Sequence, residues 1–184
     1  MNNKKWLEYF KRDYMKLCGK NWKNIPGTLR IIKNNRIRYL FYGRLSCCNN
    51  KVLKAIANKK LQKYSKRYGL EINFENIGPG FLIIHPFNIT VNADATIKGE
   101  CTLFKGSTIG SIRSGKKQGT PTIEKDVVLC INSTVVGNVH IGQDVLIAPN
   151  SYVNFDVPDH SVVIGNPGQI HYKENATKDY LSGV

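Results

Sequence analysis

The 184-residue sequence lacks an apolar run long enough to span a bilayer, and its polar, basic N-terminus lacks the apolar stretch of a signal peptide. We therefore expect a cytoplasmic protein, with peripheral attachment to the inner face of the membrane as an alternative. Five cysteines form no CxxC pair and show no metal-ligand spacing, which argues against a metal site and favours reduced thiols. No recognised nucleic-acid-binding motif accompanies the positive charge, so we expect no nucleic acid partner.

Acidic residues are scarce in the N-terminal third of the chain. Residues 1–70 carry 19 Lys and Arg against two acids, Glu8 and Asp13, whereas residues 71–184 carry 8 Lys and Arg against 11 acids. The whole excess of positive charge therefore belongs to the first third. This asymmetry favours an anionic partner such as a membrane surface, a phosphorylated lipid carrier or an acidic polymer. The alternative is a solvated helical face.

Apolar residues in this third follow a helical period. The first stripe comprises Trp6, Phe10, Tyr14 and Leu17, and the second comprises Val52, Leu53, Ile56, Ala57, Leu61, Tyr64 and Tyr68. The pattern predicts a basic α-helical region over residues 1–70. We expect its apolar faces to pack against one another and against the first part of the following domain, where the helices would cover an open end.

The strongest regularity in the rest of the chain is a six-residue spacing of aliphatic residues. A period of six fits neither a helix nor one face of a flat sheet, and it is typical of a hexapeptide β-helix. The aliphatic series comprises Ile77, Ile83, Ile89, Ile97, Leu103, Ile109, Ile123, Leu129, Val135, Ile141, Ile147 and Val153. Compact residues four places later give a second inward position: Ser107, Val127, Ser133, Val139, Val145 and Ser151. The sequence predicts a parallel β-helix over residues 71–170 and a C-terminal tail over 171–184.

The period breaks at two places. The step from Ile89 to Ile97 is eight residues, which predicts two extra residues between them. The step from Ile109 to Ile123 is fourteen and includes the basic, glycine-rich segment 113–121, which predicts a projecting loop. Insertions in solenoids tend to gather on the functional face, although a tolerated surface loop is the alternative.

Only four histidines are present, and one of them stands apart. His140, His160 and His171 are interpreted as surface residues. His85 lies in an early coil, flanked by apolar residues and two places after Ile83, which predicts an outward or corner position.

From about Tyr68 to Ile170 the sequence resembles the serine acetyltransferase family of left-handed β-helix acyltransferases. The matching segments are 77–80, His85, 106–110, 121–123, 136–139, 147–150, 157–158 and 165–168. The short basic helical region is similar to the branch found with capsule and exopolysaccharide synthesis. The resemblance implies a mainly β protein with a left-handed parallel β-helix, acetyl-CoA as co-substrate without a metal, and a homotrimer or dimer of trimers with the active site between two subunits.

The resemblance also implies roles for individual residues. His85 would be the general base, Glu71 would orient its ring, and the backbone N–H of Gly110 or Ser111 would stabilise the thioester oxygen. The coenzyme is expected along the coils at Asn132, Ala148, Pro149, Gly165 and Asn166, with Lys116, Lys117 or Lys173 at its phosphates.

The chain departs from the family at the positions that grip serine. Family members that acetylate free serine carry an Asp just before the catalytic histidine and an Arg-His pair after the loop. Here those positions are Ile84, Gly119 and Thr120, so a charged partner is missing for both the ammonium and the carboxylate. We therefore expect an acetyl-CoA-dependent O-acetyltransferase acting on a sugar or polysaccharide precursor. Serine O-acetylation and a non-catalytic β-helix assembly module are the alternatives.

Overall fold

A computed structural model describes residues 5–19 and 34–181, and the remainder of the predicted helical region and tail lies outside these ranges. The N-terminal part forms three helices, α1 (Lys5–Cys18), α2 (Asn35–Leu45) and α3 (Lys51–Tyr68). Asn34 and Asn50 begin α2 and α3 as N-caps, because each side-chain oxygen accepts hydrogen bonds from two backbone N–H groups of the first turn. Gly69 ends α3 with a φ of +64°.

Helices α1 and α2 pack against the start of the β domain. Phe10, Tyr14 and Leu17 of α1 are buried, which confirms the first apolar stripe. They join a continuous core that includes Ile77 and Phe81 of the first coil. The helices therefore cover the open end of the solenoid, as the sequence predicts.

The second predicted stripe is wrong at three of its seven positions. Val52, Leu53 and Ile56 of α3 are 68%, 41% and 48% exposed. Ala57 is fully buried and packs with Leu45 and Cys48. In the second half of α3, the Tyr64 ring meets the ring of Tyr39 on α2 with centroids 5.5 Å apart. The helix therefore packs through part of the predicted stripe, and its first three apolar side chains face solvent.

Residues 70–164 form a parallel β-solenoid of about five turns with three flat faces. Face A contains β1 (Leu70–Ile72), β3 (Ile89–Val91), β6 (Thr108–Gly110), β9 (Thr134–Val136) and β12 (Tyr152–Val153). Face B contains β4 (Thr96–Ile97), β7 (Thr122–Ile123) and β10 (His140–Ile141). Face C contains β2 (Leu82–Ile84), β5 (Thr102–Phe104), β8 (Val127–Leu129), β11 (Val145–Ile147) and β13 (Ser161–Ile164). The chain passes through the faces in the order A, B, C within each coil.

The six-residue series lies inside this prism, with one correction of register. Ile109 of face A pairs with Val91, whereas Ile89 pairs with Leu70. Val91 to Ile97 is a regular step of six, so the two extra residues do not lie after Ile89 as predicted. They lie between Ile83 and Val91, at the corner that carries His85. Because Ile89 and Val91 are both buried, burial does not show which of them is equivalent to Ile109, whereas the strand pairing does.

The last coil is followed by a reversal of the chain. Strand β14 (Gln169–Tyr172) pairs antiparallel with β13, and the short helix α4 (Lys178–Leu181) follows. Asp144 holds this segment, because its carboxylate accepts hydrogen bonds from the backbone N–H groups of Ala176 and Thr177 and from the Thr177 hydroxyl. Across the described residues, no helix combines the length and apolar character that crossing a membrane requires.

Candidate active site

His85 stands at the corner where the chain leaves face C and turns to face A. It follows Ile84 of β2 directly, its side chain is exposed, and its backbone φ is +53°. A positive φ is uncommon for a residue with a side chain, although histidine is enriched among the exceptions. Positive φ values recur along this edge at Asn132 (+58°) and Asn150 (+60°). The predicted corner position is confirmed.

The corners between faces C and A stack into one continuous edge, which we call the C–A edge (residues 85–88, 105–106, 131–132, 149–150 and 165–168). Backbone hydrogen bonds join successive levels: Gly106 N–H donates to Phe87 O (3.0 Å), Asn132 N–H to Lys105 O (3.1 Å) and Asn150 N–H to Ile131 O (3.0 Å). The Asn132 side-chain amide also donates to that of Asn150 at 3.4 Å.

This edge gathers most of the predicted site residues. His85 lies at its first level, next to the helices. Asn132 lies at the third, Ala148 and Pro149 enter the fourth, and Gly165 and Asn166 form the fifth. His85 and the predicted coenzyme positions therefore follow one line along the solenoid.

Glu71 lies on face A beside the first corner of this edge. It is exposed on β1 and pairs with Thr90 of β3, the strand that follows the His85 corner. The corner is tied to the end of α3 by Asn88 N–H, which donates to Tyr68 O at 2.7 Å. The structure records no hydrogen bond or ion pair from residues 5–19 and 34–181 to either the Glu71 or the His85 side chain.

Gly110 and Ser111 lie on the other side of face A, at the corner that leads to face B. Gly110 ends β6, and its carbonyl accepts a hydrogen bond from Gly137 N–H. The Ser111 hydroxyl accepts one from Asn92 at 3.3 Å. Gly110 lies three residues along the strand from Ser107, which is near the C–A edge, and this corresponds to about 10 Å at ~3.3 Å per residue. Gly110 and His85 of one chain are therefore not brought together.

The predicted loop after Gly110 projects from this second corner, which we call the A–B edge. Ile112 and Gly119 bond to each other through both backbone N–H groups, so the loop closes as a narrow ribbon. Lys117 O accepts a hydrogen bond from Asn138 N–H, which fixes the loop against the next coil. The Thr120 hydroxyl donates to Asp94 O at 3.1 Å. Gly119 and Thr120 therefore lie at the opposite edge of face A from Ile84.

The lysines predicted at coenzyme phosphates are spread over the surface. Lys117 lies 4.0 Å from the Asp156 carboxylate, and Lys116 is exposed in the same loop. Lys173 lies after β14, where its backbone N–H donates to His160 O. These three lysines are not collected at the C–A edge.

Two histidine–carboxylate pairs were missed by the sequence interpretation, His140 with Glu124 and His160 with Asp144, the second at 2.9 Å. His140 on face B lies 3.0 Å from the Glu124 carboxylate, which Lys98 also approaches at 2.6 Å. Hydrogen bonds from Lys98 and His140 lower the pKa of Glu124. Both pairs join residues sixteen apart on neighbouring coils, a spacing that carries no local motif. The His140–Glu124 pair lies on face B, away from the C–A edge.

Curated relatives match more than half of the chain, whereas no family model matches it. The chain is 33% identical over 116 residues to a serine acetyltransferase of Synechococcus elongatus, which covers 61% of this chain and 47% of the relative. It is 30% identical over 149 residues to serine acetyltransferase 2 of Arabidopsis thaliana, covering 73% of this chain and 46% of the relative. The chain spans about half the length of the curated relatives it matches.

Solved structures share the fold. A serine acetyltransferase of Vibrio cholerae superposes with a TM-score of 0.75 over 96% of this chain and 69% of that one, at 21% identity. A serine acetyltransferase in complex with CoA superposes with a TM-score of 0.73 over 92% of this chain and 71% of that one, at 19% identity. The resemblance and the β-helix inferred from the sequence are confirmed.

Proposed function

We propose, on the premise that this chain is a serine acetyltransferase-like hexapeptide-repeat protein, that it transfers an acetyl group from acetyl-CoA to a hydroxyl with His85 as the general base. The observation that carries the proposal is the position of His85. It is exposed at the head of the C–A edge, in line with the residues predicted to contact the coenzyme.

The proposed reaction needs little from the protein beyond a base and an oxyanion donor. A ring nitrogen of His85 takes the proton of the acceptor hydroxyl as its oxygen attacks the thioester carbonyl carbon. The carbon–sulfur bond then breaks, and the imidazolium returns the proton to the coenzyme thiolate. Imidazole suits both steps because its pKa lies close to neutral pH. Glu71, on the adjacent face, orients the ring and stabilises its charged form.

We further propose that the active site forms between two subunits of a trimer. The base lies on the C–A edge, whereas the predicted oxyanion donors Gly110 and Ser111 lie at the A–B edge of the same chain. One subunit cannot bring the two edges together, because face A separates them. A neighbouring subunit that places its A–B edge against the C–A edge completes the site. In a threefold arrangement, the C–A edge of every subunit meets the A–B edge of a neighbour.

The coenzyme is proposed to lie along the C–A edge above His85. Asn132, Ala148 and Pro149 line its middle levels, and Gly165 and Asn166 its last. The corners offer backbone groups and short side chains, which allow an extended ligand to approach closely. This proposal needs no metal ion.

Serine is the acceptor that the relatives favour. Each relative described above is named a serine acetyltransferase, and the named activity is an O-acetyl transfer. We therefore propose serine O-acetylation as the first candidate reaction.

A sugar hydroxyl is the second candidate, favoured by a specific observation in this chain. Ile84, beside the base, is apolar and only 6% exposed, so it offers no charge to an ammonium group. Gly119 and Thr120 at the A–B edge offer no cation to a carboxylate. An uncharged acceptor loses nothing at these positions, whereas serine would leave both of its charges unpaired.

The test is release of coenzyme A from acetyl-CoA with L-serine, nucleotide sugars and oligosaccharides as separate acceptors. The proposal expects turnover with one class, and a fall of about 10²–10⁴-fold in His85→Ala. His171→Ala, an exposed histidine of β14, is the matched control and keeps full turnover. Equal turnover in His85→Ala and the control would refute the mechanism. Turnover with serine alone would leave the first acceptor candidate, and turnover with a sugar alone the second.

A further inference from the structure

A cavity of about 170 Å³ opens between α2 and α3, outside the candidate active site. Its lining includes four cations, which are Arg38 on α2 and Lys60, Lys63 and Arg67 on α3. No carboxylate of residues 5–19 or 34–181 lines it. In the part of the chain that the structure describes, none of the four takes part in an ion pair with an acid. The cavity therefore concentrates positive charge without a counter-charge.

Arg38 supplies the clearest sign of a missing partner. Its Nε atom is buried and has no hydrogen-bond partner among residues 5–19 and 34–181. One of its other nitrogens donates to the Asn35 side chain, which fixes the guanidinium at the cavity wall. A buried donor without a partner costs free energy, and a guanidinium pairs best with a carboxylate or phosphate. The cavity is thus matched to an anion.

Tyrosines add hydroxyl groups and a flat apolar wall. The Tyr64 and Tyr68 rings are stacked with centroids 6.0 Å apart, and Tyr42 completes the lining. Burial raises the pKa of Tyr64, so its hydroxyl keeps its proton and can donate to an anion. The cavity volume is several times the ~30 Å³ that one water molecule occupies in the liquid. The cavity therefore admits an anionic group together with part of the molecule that carries it.

The cavity adjoins the His85 corner. Tyr68, which lines it, accepts a backbone hydrogen bond from Asn88 through its carbonyl oxygen. The cavity lies at the helical end of the C–A edge, whereas the proposed coenzyme positions occupy the third to fifth levels. His85 belongs to the corner that this hydrogen bond ties to the end of α3.

We propose that the α2–α3 cavity binds the phosphate group of a ligand other than coenzyme A. The phosphate belongs either to a soluble phosphorylated compound or to a lipid headgroup, and both present the same chemistry to Arg38 and the lysines. This binding does not depend on acetyl transfer, so binding measurements alone test the proposal.

Binding is measured on the full chain in two arms. The first titrates inorganic phosphate, and a sugar 1-phosphate against the same sugar without phosphate, by calorimetry at low salt. The second measures sedimentation with phosphatidylcholine vesicles, with or without phosphatidylglycerol. The test variant is the double substitution Lys60→Met and Lys63→Met. The matched control, Lys51→Met with Lys125→Met, removes the same charge from two exposed residues outside the cavity.

Saturable phosphate binding that falls tenfold or more in the test variant and not in the control supports a soluble ligand. Binding only to vesicles with phosphatidylglycerol, with the same difference between variants, supports a headgroup. Tyr64→Phe, which keeps the ring, gives a smaller loss in either case. No binding in either arm, equal losses in both double variants, or displacement of phosphate by coenzyme A would overturn the proposal.

Discussion

Arg44 of α2 and Asp13 of α1 form a two-pronged ion pair with both side chains fully buried. The guanidinium Nε lies 2.7 Å from one carboxylate oxygen, and a terminal nitrogen lies 3.1 Å from the other. The same terminal nitrogen also donates to Gly78 O at 2.7 Å, and the other terminal nitrogen donates to Ile77 O at 2.5 Å. The carboxylate also accepts from Phe81 N–H. Two charged side chains therefore join both helices to the first coil.

Removing one partner of this pair is expected to destabilise the protein strongly. Burial raises the pKa of the Asp13 carboxyl, and the charge of Arg44 opposes that shift. An unpaired charge left in this site costs about 3–5 kcal/mol, so Arg44→Met should lower the free energy of unfolding by an amount of that order. Urea unfolding measures it.

The exposed ion pair of Lys54 and Glu75 provides the control for Arg44→Met. Its atoms lie 3.0 Å apart, but both side chains are largely in solvent. Lys54→Met should cost no more than about 1 kcal/mol. Similar losses in the two variants would contradict a structural role for the buried pair.

Glu71→Gln is expected to lower turnover by less than His85→Ala does, within the ~10²–10⁴-fold that a general base contributes. The amide keeps the size of the side chain but no longer stabilises imidazolium. Steady-state turnover with acetyl-CoA measures the loss. Glu75→Gln, which removes another exposed carboxylate, is the control, and equal turnover in Glu71→Gln and this control would remove Glu71 from the mechanism.

Asp144→Asn is expected to loosen the C-terminal segment. Burial of the Asp144 carboxyl acts to raise its pKa, but hydrogen bonds from His160, Thr177 and Ala176 outweigh this effect and lower it. Asparagine tolerates the positive φ of this position, +54°, so the backbone is retained. The lost charge-assisted hydrogen bonds should cost about 1–3 kcal/mol near neutral pH.

The cost of Asp144→Asn is expected to depend on pH. Because the folded-state pKa is lowered, the carboxylate stabilises the fold above its unfolded pKa of about 3.9, and this contribution disappears as the pH falls through the folded value. The unfolding free energies of wild type and variant should therefore converge in acid. A difference that stays constant from neutral to acid pH would show that the charge of Asp144 is not what holds the segment.

The thiols of Cys101 and Cys130 are expected to stay unreactive in the folded protein. Burial raises the pKa of Cys101 to about 12 and that of Cys130 to about 11, so neither forms thiolate near pH 8. Reaction with a thiol-specific reagent measures this, with five thiols expected in denaturant.

Cys130 also reports on the C-terminal segment, because it packs in one cluster with Ala176. Asp144→Asn should accelerate labelling of Cys130 and leave Cys101 unaffected. Rapid labelling of Cys101 in the folded wild type would contradict its burial.

The six-residue period could be read from the sequence because each aliphatic occupies an equivalent inward position. The predicted series was wrong only at Ile89. This residue is buried and lies six places after Ile83, but the residue that pairs with Ile109 is Val91, two places further along the strand. Strand pairing, which has no local signal, placed the extra residues before Val91 instead. The corner position of His85 followed from its spacing to Ile83.

The helical region was less predictable for a different reason. A helical period indicates which residues share a face but not whether that face meets a partner, so Val52 and Ile56 were assigned to a core they do not enter. The pairing of Asp13 with Arg44, 31 residues apart, and the gathering of Arg38 with Lys63 depend on how α1, α2 and α3 pack. Charged residues on a helix are usually solvated, so the buried pair and the cationic cavity can be recognised only once the packing of the helices is known.

The lengthened corner at His85 is the crossing from face C to face A that departs from the regular repeat of the solenoid. Every other crossing from face C to face A follows the common spacing, so those coils are interchangeable in backbone and differ only in side chains. A strand stack continues across an insertion without loss of pairing, as Val91 and Ile109 demonstrate. Extra residues at this crossing, like those of the loop at the A–B edge, are therefore absorbed outside the strands and leave the register of the scaffold intact.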